Sequence, residues 1–151
     1  MSRILLVDRD GHDRSASQRA LERDGHAVTT ASCRDEALAA LERDAPELVV
    51  LEVGAPCGEG LDLMGEMLAR RHEVPIVLNS AYSSYRDDFR SWCAADDVPK
   101  SPDARGLRRS VRDVLDSIKA SAARGNTFTF SLAENSLPEL ARPLVDSASA
   151  R

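Results

Sequence analysis

The sequence predicts an α/β domain: a doubly wound, five-stranded parallel sheet with helices on both faces, followed by a C-terminal extension. Three observations carry this expectation. Short apolar runs alternate five times with helical patterns. Two of those runs, Ile4–Val7 and Leu48–Val53, are apolar almost throughout, as strands buried on both faces are. The last helical pattern carries Leu107, Val111, Val114, Leu115 and Ile118 on one stripe, which suits a helix lying on a sheet.

The elements follow in order. Ile4–Val7 is the first strand. Asp13–Asp24 reads as a helix closed by Gly25, with Leu21, Ala16 and Ala20 as its apolar members. His26–Thr30 is a short strand. Ser32 and Asp35 form a capping-box-like pair ahead of a helix carrying Ala37, Leu38 and Leu41. Leu48–Val53 is the third strand, and Leu61–Arg71 a helix with Leu61, Met64, Met67 and Leu68 at helical spacing. Pro75–Leu78 is the fourth strand, Tyr85–Trp92 a short helix, and the residues around Val98 the fifth strand. The final helix begins near Pro102 or Asp103. Residues 1–122 thus form one unit and residues 123–151 an extension. In the extension, Thr127–Leu132 alternates polar and apolar as a half-buried strand does, and Ser136 with Glu139 marks a short turn. Folding back over the domain and binding a partner or second copy are both open to it.

Composition bounds the function. The chain has 151 residues, enough for one core that removes roughly two-thirds of the unfolded surface from water. A net charge of −5 gives no general affinity for nucleic acid or an anionic membrane. MSRILLVDRD turns acidic after four apolar residues, so neither a signal peptide nor a membrane span is expected. A cytoplasmic location is expected, with Cys33, Cys57 and Cys93 as reduced thiols. No nucleophile triad, phosphate-binding glycine loop or cofactor fingerprint is present, so no turnover enzyme is expected. Arg105, Arg108, Arg109 and Arg112 make the last helix basic, but no helix-turn-helix follows, which argues against DNA binding.

The chemistry-bearing residues fall where strands leave the core. Asp8, Arg9 and Asp10 follow the first strand. Glu52 ends the third, with Pro56 and Gly60 in the loop beyond it. Ser80-Ala81 follow the fourth and Lys100 the fifth. Over about residues 3–120 this order resembles the response-regulator receiver domains, CheY-like proteins with a flavodoxin-like sheet. The resemblance implies phosphoryl transfer to an aspartate, with two further carboxylates holding Mg²⁺ and a hydroxyl and a lysine sensing the phosphoryl group. Carried over by position, Glu52 stands at the phosphoacceptor, Asp8 and Asp10 form the acidic pocket, Ser80 is the switch hydroxyl and Lys100 the lysine.

Several positions depart from that pattern. Glu52 is one methylene longer than aspartate, which moves its oxygens outward by roughly 1 Å. Arg9 replaces an acid of the metal site and brings a fixed positive charge there. Ser101 stands where a proline usually follows the lysine, and Asp97 where an aromatic switch residue is usual. The resemblance therefore points to a degenerate receiver, or pseudo-receiver, in two-component or phosphorelay signalling. It would act by phosphorylation-independent protein contact, with Glu52 paired to Arg9 and no Mg²⁺ or other cofactor. The implied partners are a histidine kinase or a downstream effector, with no DNA and no membrane. A homodimer would use the extension, or the face of the fourth predicted helix, fifth strand and last helix. Two other readings stay open: Mg²⁺-dependent phosphorylation at Glu52 or a nearby acid, and an assembly subunit using the extension.

Overall fold

The computed structural model describes residues 1–53, 59–81 and 94–125. Pro56, the helix expected over Tyr85–Trp92, and the whole extension beyond Gly125 lie outside the described residues. Five strands form one sheet: β1 (Arg3–Val7), β2 (Ala27–Ala31), β3 (Leu48–Leu51), β4 (Ile76–Ser80) and β5 (Asp96–Pro99). Their order is β2-β1-β3-β4-β5, and every described pairing is parallel. The helices described are α1 (Gly11–Arg23), α2 (Arg34–Asp44), α3 (Glu59–Arg70) and α4 (Arg105–Ala123). This is the doubly wound architecture that the alternating pattern predicts.

Side-chain alternation along the strands divides the core into two layers. Leu5, Val49, Ile76 and Leu78 pack with α2 and α3 on one face, together with Met64 and Met67. Ile4, Leu6, Val50 and Val77 face α1 and α4 on the other, where Leu21, Leu107 and Val111 meet them. In β3 all four residues are buried, which explains its uninterrupted apolar run.

Element boundaries differ from the sequence expectation where caps decide them. α1 starts two residues early, because the Asp10 carboxylate accepts from the N–H groups of His12 (2.9 Å) and Asp13 (3.0 Å). At α2 the acid that reaches back is Glu36, not Asp35. It takes hydrogen bonds from the N–H (3.2 Å) and hydroxyl (3.0 Å) of Ser32, one residue before the N-cap Cys33. At α4, Asp103 rather than Pro102 sets the start, since it accepts from Arg105 N–H at 3.1 Å while Ala104 takes a left-handed φ of 54°. Ser80 is the last residue of β4 rather than a loop residue. Gly25, at φ 90°, closes α1 as expected.

Candidate functional site

The register of the sheet builds the site. Val7 lies opposite Leu51, so Asp8 and Glu52, each one residue further on, leave the core side by side. Three backbone bonds extend the ladders past the strand ends. Asp8 N–H donates to the Ala31 carbonyl (3.1 Å), Glu52 N–H to Val7 (2.9 Å), and Lys100 N–H to Ser80 (3.0 Å). All four positions therefore sit at the C-terminal edge of the sheet, where parallel α/β folds place their ligands.

Asp8 is the buried anchor, with 2% of its surface exposed. One carboxylate oxygen accepts from Asp10 N–H at 2.9 Å, and the other from the Lys100 ammonium at 3.0 Å. The same ammonium donates to Asp13 at 2.9 Å. Arg14 donates to the Asp8 main-chain carbonyl at 2.8 Å, fastening α1 to the end of β1. Burial alone would lower the Lys100 pKa. The hydrogen bonds to Asp13 and Asp8 outweigh it, and the ammonium is held above its ordinary value.

Glu52 is half-buried, and that burial pushes its pKa up. The Lys100 charge opposes the shift, the Asp8 charge adds to it, and Arg9 opposes it through its charge and its main-chain N–H. The strongest opposite charge acting on Glu52 is thus Lys100, with Arg9, the expected partner, acting on it as well. The cause is reach: the lysine crosses from β5 to the edge between β1 and β3. A prediction follows from the sign of the shift. A carboxyl raised in the folded state favours folding when protonated and disfavours it when ionised. Glu52→Gln should therefore stabilise the protein at pH 7, with the gain vanishing below pH 4.5, the ordinary glutamate value. Chemical denaturation at the two pH values checks it, and an equal effect at both would contradict it.

Asp10 is also corrected. It caps α1 and is exposed instead of lining the acidic pocket, and the Asp13 N–H it accepts holds its pKa below the usual value. The second carboxylate of the site is Asp13. Sequence reasoning missed it because it read Asp13 only as the start of a helix. Ser80 is 2% exposed, and its hydroxyl donates to the Val53 carbonyl at 2.7 Å, which joins the ends of β3 and β4. Asp97, in the expected aromatic position, lies on β5 opposite Leu78.

A cavity of about 430 Å³ opens beside Glu52, with Arg9, Arg34, Asp62 and Glu66 in its wall. Arg34 grips Glu66 with two hydrogen bonds, at 3.1 and 2.6 Å, and ties α2 to α3 across it. The donor set does not suit a hard divalent cation, which needs several oxygen ligands. Asp8 is committed to an ammonium, Asp10 to a helix cap, and Arg9 brings like charge. Among the described residues, no group of three or more His, Cys, Asp or Glu side chains is placed to hold a metal ion. None of the described helices is long and apolar enough to cross a membrane.

Known proteins place this geometry. The family model of the response regulator receiver domain matches residues 4–112. The chain is 32% identical to the transcriptional regulatory protein AfsQ1 of Streptomyces coelicolor over 117 residues, 76% of this chain and 52% of that protein. Among solved structures it resembles the response regulator TrrA of Thermotoga maritima bound to Mg²⁺ and a beryllium fluoride. That match has a TM-score of 0.70 and 33% identity, and covers 76% of this chain and 99% of the other. It resembles TrrA equally in complex with the histidine kinase ThkA, with a TM-score of 0.69 and 34% identity over 76% of this chain and 99% of that one. The chain spans about half the length of the AfsQ1-type regulator it matches. With Asp8, Glu52, Ser80 and Lys100 gathered at one edge of a 2-1-3-4-5 parallel sheet, the chain belongs to the response regulator receiver family of two-component signalling.

Proposed function

We propose that this receiver transmits its signal through protein contact that does not depend on phosphorylation of residue 52, as a binding module and not an enzyme. The observation that carries the reading is the Lys100 ammonium, held between Asp8 and Asp13 at 3.0 and 2.9 Å. Phosphoryl transfer needs developing negative charge to be met by positive groups already aimed at the acceptor. Here the lysine is already engaged, and Arg9 stands where a metal-binding acid is usual. Glu52 also brings its oxygens further out than an aspartate would, and in-line attack tolerates little displacement. The site then carries its own charge compensation, and binding of a partner sets its conformation. The partner is a histidine kinase or a downstream effector, a reading supported by the complex that TrrA forms with ThkA.

The test is chemical. The protein is incubated with Mg²⁺ and a small phosphodonor, and its intact mass is measured. The expected results are no adduct on the unmodified protein and none on Glu52→Asp, because Arg9 still opposes the cation. The double variant Arg9→Asp with Glu52→Asp should acquire one in only a fraction of the molecules, because Lys100 stays held by Asp8 and Asp13. A phosphoadduct on the unmodified protein that disappears in Glu52→Gln would overturn the reading and favour an acceptor role for Glu52.

A further inference from the structure

We infer that the recess between α1 and the loop leading into α4 binds a primary ammonium carried on a stem of three or four carbons. The recess has a volume of about 160 Å³ and lies on the other face of the sheet from the cavity beside Glu52. Asn79 singles it out. This residue follows Val77 on the face of β4 that meets α1 and α4, lines the recess, and is 4% exposed. Its amide oxygen has no hydrogen-bond partner among the described residues. Buried acceptors are nearly always paired, so one left open in the wall of a recess calls for a donor.

Three further facts give that donor its charge and shape. First, Asp13 and Lys100 also line the recess. Asp8 and Asp13 share the single positive charge of the Lys100 ammonium, so the cluster keeps a negative charge in excess. A cation offsets it and an anion does not. Second, both helix starts beside the recess are already met by acids. Asp10 accepts from the first turn of α1, and Asp103 from Arg105 N–H at 3.1 Å. That removes the usual attraction of a helix start for an anion. Third, Ala16, Pro102, Ala104 and Leu107 make one side of the recess apolar. At the roughly 30 Å³ that one water occupies in the liquid, the volume takes about five heavy atoms, a nitrogen and three or four carbons. The stem lies along the apolar side while the ammonium donates to Asn79 and Asp13. Donation to Asp13 competes with Lys100, so the occupant acts on the Glu52 edge through that lysine. The inference is independent of whether residue 52 is phosphorylated.

Titration of the full, isotope-labelled chain with n-butylammonium chloride tests it, read by backbone amide and side-chain NH₂ resonances. The Asn79 side-chain resonance should shift to saturation with a dissociation constant of about 1 mM, within reach of a ligand this small. Tetramethylammonium keeps the charge but has no N–H, and should give no saturable shift. In Asn79→Ala the affinity for n-butylammonium should fall about tenfold, the loss of one hydrogen bond from a charged donor, as read at the Asp13 and Ser17 amides. Asp13→Asn should weaken binding by a similar factor. Its side chain is 44% exposed, so this variant keeps the test open even if Asn79→Ala folds poorly. A missing saturable shift on the unmodified protein would overturn the inference and leave water as the donor to Asn79. Unchanged affinity in both variants would overturn it too, as would an equal response to tetramethylammonium.

Discussion

Lys100→Met should destabilise the fold by roughly 3 kcal/mol, the cost of leaving a buried charge without its partner. The side chain of Asp8 is 1% exposed and that of Lys100 17%, so the pair is largely withdrawn from water. Methionine keeps the apolar stem and removes only the charge. Urea unfolding at pH 7 should show a lower midpoint with an unchanged slope. Asp13→Asn is the contrasting control: its side chain is 44% exposed, and its loss should cost less than about 1 kcal/mol. The pH dependence has a definite sign. The folded state raises the Lys100 pKa, so its contribution is fully present below the ordinary value of 10.5 and is lost as pH rises through the raised value. Equal costs for the two variants would show that Asp8 does not depend on the lysine.

Two glycines of one helix should respond to alanine in opposite directions. A Cβ at Gly60 would stand 2.9 Å from the Val53 Cα and 3.1 Å from the Glu52 carbonyl oxygen. Those are backbone atoms of the strand end that carries the site, and they cannot step aside as a flexible side chain would. Overpacking of this kind costs about 1–3 kcal/mol. The gain in helix propensity returns up to about 1 kcal/mol, so Gly60→Ala should be destabilising by roughly 1–2 kcal/mol. It should also disturb the Glu52 amide resonance. Gly65, five residues further along α3 and exposed, has nothing within 4 Å of such a Cβ. Gly65→Ala should therefore stabilise the protein by about 0.5–1 kcal/mol. Thermal unfolding of both variants checks the pair, and the same sign for both would refute the close approach of α3 to β3.

The parallel sheet was legible because its strands are buried on both faces. Ile4–Val7 and Leu48–Leu51 are apolar at every position, as burial on both faces of a strand demands. Asp8, Glu52, Ser80 and Lys100 were legible because each ends a strand and parallel register brings strand ends together. What escaped was everything decided by side-chain reach. Asp10 and Asp13 are both acids near the start of α1, and spacing alone does not say which caps the helix and which meets a lysine from β5. Likewise Ser32 could reach Asp35 or Glu36, and only the helix start at Arg34 selects Glu36. The close approach at Gly60 had no sequence signal beyond the glycine itself, which could equally have been a turn residue.

The contact between Lys100 and Asp8 joins residues 92 positions apart, the end of β5 to the end of β1. Such a contact closes only after the intervening sheet has assembled, because its loop entropy is not repaid earlier. The ion pair is therefore a latch set late on the folding path. Removing it should leave the rate of folding nearly unchanged and accelerate unfolding. The persistence of the native state over time, and with it resistance to proteolysis, then rests in part on one lysine at the edge of the sheet.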